Sequence, residues 1–506
     1  MPNPDSSTQT TCSWADDARV IGKTFRLSTR WPRLLVALAG LGLILLWGGL
    51  LDKIWVGLDR GVGPDSLAAH LAGGAGDESD GDPTWGTSGV FAVWRQHQMD
   101  CMDRAASAVC HGRVFGGFGP PPPSLAFGAD SLLDMPASLF ERSLASAGVL
   151  RLIGYMGSGV AWMFTERPCF ATIFWLGTIA LMSLIGGGLC RQMTLDLARD
   201  EQPTIRQTFE FVRSKYWGGF LAAPLLPAGI LLGLVLVMGA LGFLMLRIPV
   251  LGDVLGGLFF AGFLLLGFLA ALIGLGTLLS GGLFWPVIAA EGTDAFDAVS
   301  RSFPYVFGRP WKALVYATVM IGYGAVCWMA VRILAFVLLW VAHTGVTLFG
   351  SQGTILANGF AGAEGLWSAP TLALFYPSGM ATDGFFEAFS AGAVKLWVLL
   401  IIGLVWAFPL SFFLAANTVV YALLRRDVDS TDLDEVYIEG YEETLFGGES
   451  TVPAATAGTE SASSKSLNIL NPDDAAGLTE APATGASPAA DAESPSQGDS
   501  DKGTKS

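Results

Sequence analysis

Charged residues and histidines are scarce in this chain. Asp, Glu, Lys and Arg together make up 14% of its 506 residues, and it has four histidines. It has no HExxH, GxSxG, Walker A or CxxC pattern, which mark zinc peptidases, serine hydrolases, P-loop nucleotide enzymes and thiol or zinc sites. We therefore expect a protein that is not an enzyme and holds no cofactor, with a membrane enzyme of unfamiliar site as the remaining alternative.

Long apolar blocks dominate the rest of the sequence. Hydrophobic residues make up 52% of the chain, its mean hydropathy is +0.50, and it contains 64 glycines. The apolar residues form charge-free runs instead of the short periods that a water-soluble core requires, and glycine is common where membrane helices pack closely. The sequence therefore predicts an all-α fold, a polytopic transmembrane helix bundle of about six spans.

The spans are predicted from run length, because a hydrocarbon core about 30 Å thick requires roughly 20 apolar residues. The first run follows several arginines and is predicted to be an uncleaved signal anchor at 34–57. The other spans are predicted near 169–190, 219–246, 256–280, 314–341 and 396–424. Gly281 and Pro286 predict a break after the fourth span, beyond which the chain is expected to run along the surface. Within the long segment 58–168, the apolar run 152–165 is too short for a span and is predicted to lie in the interface.

The loops after every second span are rich in basic residues, and this pattern predicts the orientation of the spans. Arginines and lysines follow the second, fourth and sixth spans, whereas residues 343–394 contain none. By the positive-inside rule, both termini and the segment 1–33 are expected in the cytoplasm, and the segment 58–168 is expected outside it. We expect multi-pass insertion in the inner (cytoplasmic) membrane of a bacterium.

The C-terminal segment 427–506 has a different composition from the rest of the chain. It contains 17 acidic and 3 basic residues and is rich in Ala, Ser, Pro, Thr and Gly. Such a composition predicts a disordered cytoplasmic tail, and its acidity argues against nucleic acid as a partner. The expected partners are membrane lipids, with a membrane protein or a second copy of the chain as further candidates.

Two segments with the same pattern precede the third and fifth spans. TIRQTFEFVRSKYW begins at Thr204, AVSRSFPYVFGRPW begins at Ala298, and both end in a tryptophan. A fainter copy, residues 24–33, precedes the first span. Apolar residues of the first copy recur at helical spacing, so amphipathic elbow helices are predicted at 204–216 and 293–307, lying in the cytoplasmic head-group layer.

Two motifs resemble a known group of proteins. PVIAAEGTDAFDAVSRSFPYVFGRPW (Pro286 to Trp311) and VVYALLRRDVDSTDLDEVYIE (Val419 to Glu439) resemble uncharacterised bacterial polytopic membrane proteins. The first motif is also distantly similar to the membrane domain attached to some glycerophosphodiester phosphodiesterases. The resemblance covers roughly residues 169–439 and implies a multi-pass membrane fold without a known activity. The catalytic barrel of the phosphodiesterases has no counterpart in this chain, so their chemistry is not carried over.

Arg332 is the ionisable residue that lies well inside a predicted span. Because a charge at that depth is costly, Arg332 is a candidate ligand-binding residue for a lipid phosphate or an anionic substrate. The alternative is that the fifth span begins early and the long side chain of Arg332 reaches the outer interface.

The predicted outer segment holds two histidines and two cysteines, namely His97, Cys101, Cys110 and His111. Outside the cytoplasm, Cys101 and Cys110 are candidates for a disulfide that closes a small loop. A metal site of all four residues is a weaker candidate, because their spacing fits no standard zinc pattern.

Three further features have both a structural and a functional interpretation. Glu291, Asp294 and Asp297 could form an acid–base or cation site, but the charged first turn of a helix explains them more simply. Gly229 with Gly233, and Ala270 with Gly274, form small-residue faces that predict close helix packing. We expect a membrane scaffold or lipid-associating module, with a transporter or permease component for an anionic or lipid-like substrate as the alternative.

Overall fold

The computed structural model describes residues 5–63, 66–71, 88–110, 149–247, 257–258, 260–349, 370 and 385–437. Regular structure in these residues is helical, apart from one isolated antiparallel bridge between Val62 and Ser88. The helices are α1 (Asp5–Thr29), α2 (Trp31–Gly57), α3 (Ser66–Leu71), α4 (Val90–Cys110), α5 (Val149–Glu166), α6 (Pro168–Arg199), α7 (Ile205–Ser214), α8 (Ala222–Leu246), α9 (Phe260–Ser280), α10 (Phe284–Glu291), α11 (Ala295–Gly308), α12 (Pro310–Phe349) and α13 (Phe385–Asp429). The predicted all-α fold is confirmed.

Six helical segments are long and apolar enough to cross a membrane. They are Trp31–Gly57, Pro168–Arg199, Tyr216–Leu244, Phe260–Glu291, Pro310–Gly345 and Gly392–Asp429. Each overlaps one predicted span, which confirms the polytopic helix bundle with about six spans. Several of these helices extend beyond the predicted limits, because charged and polar residues at their ends continue the helix outside the apolar run.

The predicted elbow helices are present as α7 and α11, and α1 takes the same place before α2. Thr204 starts α7 with a capping box: its side-chain oxygen accepts the N–H of Gln207, and the Gln207 side chain accepts the N–H of Thr204. A short π-helical turn, Tyr216–Phe220, joins α7 to α8. Helix α11 continues through Pro304 to Gly308. We name the end of the bundle that carries α1, α7 and α11 the elbow face, and the opposite end the far face.

The main core lies between α6, α10 and α13. Residues Phe284 and Pro286 to Ala290 of α10 are buried, together with the second half of α6 and of α13. The expectation that the chain runs along the surface after the fourth span is therefore wrong. A 3₁₀ turn, Gly281–Leu283, separates α9 from α10. Because α10 is apolar on all sides until Glu291, it is stable when it is buried.

The hairpin of α8 and α9 lies at the periphery, and most of its large apolar side chains are exposed. Neither Gly229 nor Gly233 would meet another atom within 4 Å if it carried a Cβ, and Gly274 would meet only Leu231, at 4.0 Å. Within the described chain, no other helix therefore packs closely against these small-residue faces. Close approach occurs instead at Gly48 of α2, where a Cβ would lie 2.6 Å from the ring of Phe91.

A second, smaller core lies at the far face, between the end of α2, α4, α5 and the start of α6. The carboxylate of Asp52 in α2 accepts the backbone N–H groups of Phe91 and Ala92, both at 2.8 Å, and so satisfies two donors in the first turn of α4. Helix α5 corresponds to the predicted interfacial helix 152–165. It buries Tyr155 and Trp162 in this core and packs against α4 and α6.

The C-terminal chain stays on the bundle beyond the predicted boundary at residue 427. Helix α13 continues to Asp429, and Ser430 then adopts a left-handed conformation with φ +56. Residues 432–437, which we name the strap, fold back onto the elbow face, where Leu433 and Tyr437 pack against the main core. The rest of the predicted acidic tail, from residue 438, lies outside the described residues, as does His111.

Candidate functional site

Arg332 of α12 forms a buried ion pair that joins α12 to α4. Its side chain is 3% exposed and donates to the carboxylate of Asp103 over 2.6 Å, and the Asp103 side chain is 21% exposed. The guanidinium group also lies 5.4 Å from the ring centroid of Trp328. Arg332 thus lies 22 residues after the start of α12, about 33 Å along the helix, and meets α4 at the far face, so both interpretations of Arg332 stay predictions. An anionic ligand of Arg332 would share the guanidinium with Asp103, which already accepts from one of its terminal nitrogens.

The surroundings of Asp103 limit what this pair can do. Burial raises the pKa of the Asp103 carboxyl, the nearby charge of Asp100 raises it further, and the Arg332 guanidinium opposes both effects without cancelling them. An arginine side chain stays charged in proteins, so Asp103 is the member of the pair that can become neutral. Asp103 thus compensates the buried charge of Arg332, and Asp103 is the partner that can change its protonation state.

His97 and Cys101 lie one helical turn apart on α4. The Nε2 atom of His97 is 2.9 Å from the carbonyl oxygen of Tyr155 and 3.6 Å from the sulfur of Cys101. Burial lowers the pKa of His97 and raises the pKa of the Cys101 thiol to about 12. Because a carbonyl accepts, Nε2 carries the hydrogen, and this nitrogen has no lone pair for a metal. Among the described residues, no group of three or more His, Cys, Asp or Glu could hold a metal ion.

The predicted disulfide between Cys101 and Cys110 does not form in this structure. Cys101 is a free, buried thiol, and Cys110 ends the same helix. Nine residues of helix at 1.5 Å per residue separate their Cα atoms by about 13 Å, whereas a disulfide requires about 7 Å or less. The sequence spacing permitted a small loop only if this segment were not helical.

A layer of ion pairs ties the helices together at the elbow face. Asp17 of α1 is buried and pairs with Arg426 of α13, and the hydroxyl of Tyr316 in α12 donates to Asp17 over 2.8 Å. Lys312 donates to Asp427, also over 2.8 Å. These contacts fix α1 against α12 and α13, and they explain why charged residues extend the last span beyond its apolar run.

Asp196 of α6 anchors the junction between α1 and α2. Its carboxylate is fully buried and pairs with Arg30 at 2.9 Å and with Arg33 at 2.8 Å. Arg33 also donates to the carbonyl oxygens of Leu27 and Gln192. In the sequence these arginines supported only the prediction of a signal anchor, because the partner carboxylate lies more than 160 residues away.

The predicted acidic cluster at the start of α11 is not one site. Glu291 is 7% exposed and accepts bonds from Arg301 and from the hydroxyl of Tyr421, both over 2.6 Å. Asp294 and Asp297 are exposed, and the Asp294 side chain makes no cap hydrogen bond. Glu291 therefore holds the end of α10 to α11 and α13, which is a structural task.

The outward sides of the elbow helices combine large apolar and basic residues. Trp217 and Trp311 lie at the start of the third and fifth spans and are 77% and 78% exposed. The exposed apolar residues beside them are Ile205, Phe209, Phe296 and Phe307. Exposed or half-exposed basic residues at the same level are Arg206, Arg213, Lys215 and Arg309. Tryptophan with basic residues at a helix–span junction is typical of a membrane–water interface.

A groove of about 420 Å³ opens beside α7 at the elbow face. It is lined by Arg191, Leu195, Glu201, Gln202, Pro203, Gln207, Thr208 and Phe211. Its lining carries one charge of each sign, and Arg191 already donates to two carbonyl oxygens. The groove therefore has no strong preference for an anion or a cation.

Comparison with known proteins adds no relative. No protein-family model, curated protein sequence or solved structure matches the chain. The resemblance to uncharacterised bacterial membrane proteins and to the phosphodiesterase membrane domain therefore stays a prediction. Fold and composition together identify the chain as an integral, polytopic α-helical membrane protein.

Proposed function

We propose that this chain is a non-enzymatic membrane scaffold that associates with anionic lipids at its elbow face. The observation that carries the proposal is the pair of elbow helices, α7 and α11. Each presents exposed apolar side chains beside basic residues, and an exposed tryptophan follows three residues after its end. A helix of this type lies in the head-group layer with its apolar side toward the acyl chains.

The charge at this face favours anionic lipids. Arg206 pairs with Glu210 on the same helix at 2.9 Å, whereas Arg213, Lys215 and Arg309 have no carboxylate partner among the described residues. Each basic residue near an anionic membrane surface contributes about 1 kcal/mol of attraction. Three such residues at one level give a preference that lipid analysis can measure.

The same distribution of charge supports an orientation. We infer that the elbow face is cytoplasmic, with both termini on that side and with insertion in the inner membrane of a bacterium. The support is the positive-inside rule, because basic residues are concentrated after the second, fourth and sixth spans, whereas residues 343–394 contain none. A scaffold in this position would hold lipids and a membrane-protein partner or a second copy of the chain.

A transporter component for an anionic or lipid-like substrate is the second candidate. The observation that favours it is the buried Arg332–Asp103 pair, because charges inside membrane proteins often mark substrate or proton pathways. The scaffold is the better supported of the two, because Asp103 already compensates Arg332. Flux of an anionic lipid analogue that is lost on Arg332→Gln substitution, in a chain that still folds, would reverse this order.

The test is lipid selectivity in nanodiscs that contain phosphatidylglycerol and phosphatidylethanolamine. The lipids that stay with the protein after mild detergent extraction are identified by mass spectrometry. We expect enrichment of phosphatidylglycerol over the bulk, and a severalfold loss of that enrichment in the triple variant Arg213→Gln, Lys215→Gln, Arg309→Gln.

The matched control is Lys53→Gln with Arg60→Gln, which removes exposed basic residues at the far face. Enrichment that is the same in the triple variant as in the unmodified chain would refute the proposal. An equal loss in the control would also refute it, because the elbow face would then have no special role.

A further inference from the structure

The strap is held to the elbow face mainly by its own backbone. The N–H of Tyr437 donates to the carbonyl oxygen of Ala290 over 2.8 Å, and Arg191 donates to the carbonyl oxygen of Tyr437 over 2.8 Å. Arg425 donates to the carbonyl oxygen of Glu435 over 2.7 Å. Between the strap and the helices below it lies a cavity of only about 20 Å³, roughly the size of one water molecule. The strap is thus closely seated.

Arg191 connects the strap to the first elbow helix. It is buried in α6 and donates through its other terminal nitrogen to the carbonyl oxygen of Ala289 in α10, over 2.7 Å. Its guanidinium lies 4.2 Å from the ring centroid of Phe211 in α7, a cation–π contact. One side chain therefore contacts the strap, α10 and α7 together.

Gly292 connects the strap to the second elbow helix. This residue ends α10 with φ +65, a conformation that favours glycine, and α11 begins three residues later at Ala295. The ring of Tyr437 covers Gly292 so closely that a Cβ there would lie 2.6 Å from it. The strap therefore packs on the backbone from which α11 starts.

We propose that the strap positions both elbow helices, and that displacement of the strap alters how the elbow face associates with lipid. The link to lipid rests on the proposed function, whereas the link between strap and elbows does not. A strap held by backbone hydrogen bonds and by the apolar contacts of Leu433 and Tyr437 is suited to release, because it has no covalent or charged side-chain anchor of its own among the described contacts. The strap would then regulate the elbow face.

The experiment is hydrogen–deuterium exchange of the full-length protein in nanodiscs, with and without Tyr437→Ala. Loss of the ring uncovers Gly292 and weakens the hydrogen bonds of the Tyr437 backbone with Arg191 and Ala290. We expect exchange of peptides from α7 and from α11 to become roughly fivefold faster or more, because exchange reports local opening. Peptides from α4 and α5 at the far face should be unchanged.

The matched control is Glu435→Gln, whose side chain is exposed and whose contribution to the strap is its backbone oxygen. Exchange in α7 and α11 should stay at its original rate in this variant. If Tyr437→Ala speeds exchange throughout the chain, exchange in α7 and α11 is measured instead in Tyr437→Leu, which keeps an apolar contact over Gly292. A rise confined to the two elbow helices supports the proposal, and unchanged elbow helices overturn it.

The phosphatidylglycerol enrichment of the same variants separates the two proposals. Faster exchange in both elbow helices with altered enrichment supports both proposals. Faster exchange with enrichment that neither Tyr437→Ala nor the basic triple variant changes upholds the mechanical coupling and overturns the lipid function. Exchange confined to the strap itself, with α7 and α11 unaffected, overturns the coupling whatever the lipids do.

Discussion

The buried pair of Arg332 and Asp103 gives the sharpest prediction, because its two members differ in how they tolerate the loss of the partner. Asp103→Leu leaves a guanidinium that is 3% exposed and permanently charged. Removal of one partner of a buried ion pair costs about 3–5 kcal/mol. Arg332→Met leaves a carboxyl whose pKa burial already raises, so it can take up a proton and become neutral. We expect a smaller loss of about 1–3 kcal/mol there, the cost of a buried polar group without its partner.

The double variant Arg332→Met with Asp103→Leu removes both charges and replaces them with apolar side chains of similar size. Such replacements of buried ion pairs are often neutral or stabilising, so we expect stability within about 1 kcal/mol of the original chain. A control on an exposed pair, Arg206→Met with Glu210→Leu, should change stability by less than about 0.5 kcal/mol.

The assay is unfolding by SDS in mixed micelles, followed by far-ultraviolet circular dichroism at neutral pH. We expect Asp103→Leu to be the least stable variant, Arg332→Met to be intermediate, and the double variant to be close to the original chain. A double variant as unstable as Asp103→Leu would refute this expectation, because the lost stability could then not be assigned to an uncompensated charge. Two neutral single variants would show that the pair is open to water.

Three further predictions concern a buried thiol, the packing of two glycines and the cap of α4. Because burial raises the pKa of Cys101 to about 12, its alkylation by iodoacetamide at pH 8 should be about a thousandfold slower than that of an ordinary thiol. Peptide mass spectrometry measures the rate, N-acetylcysteine in the same micelles provides the comparison, and equal rates would contradict the burial. Gly48→Ala should destabilise the protein by about 1–3 kcal/mol in the SDS assay, because its Cβ would meet the ring of Phe91 at 2.6 Å. Gly229→Ala has open space and should be neutral or stabilising by up to about 1 kcal/mol, so the opposite order would contradict the helix contacts. Asp52→Ala leaves two N–H groups of α4 without an acceptor and should cost about 1–2 kcal/mol, with faster hydrogen exchange at the start of α4 but not in α7; unchanged exchange would mean that Asp52 does not cap this helix.

The fold class and the spans could be predicted because they follow from local composition. A charge-free run of about 20 residues has few alternatives to a membrane-spanning helix, and this holds for each of the six. The elbow helices were predictable for a similar reason, since the spacing of Ile205, Phe209 and Val212 is helical and Thr204 with Gln207 makes a capping box.

The charged contacts could not be predicted, because they depend on partners far apart in the sequence. Arg332 was recognised as unusual, but its partner Asp103 lies 229 residues away, in a segment without a membrane-span pattern. The surface run expected after Pro286 was wrong because length alone cannot separate an interfacial segment from a short buried helix. The predicted disulfide is absent because α4 is helical across both cysteines.

Lipid contact at the elbow helices is the central claim, and photocrosslinking tests it most directly. A benzoylphenylalanine is placed at Phe209 of α7, at Phe296 of α11, and at Glu435 of the strap as the aqueous control. The chain is irradiated in membranes that contain phosphatidylglycerol, and its adducts are identified by mass spectrometry. We expect phospholipid adducts at Phe209 and Phe296, enriched in phosphatidylglycerol, and none at Glu435. Absence of lipid adducts at both elbow positions would contradict the claim.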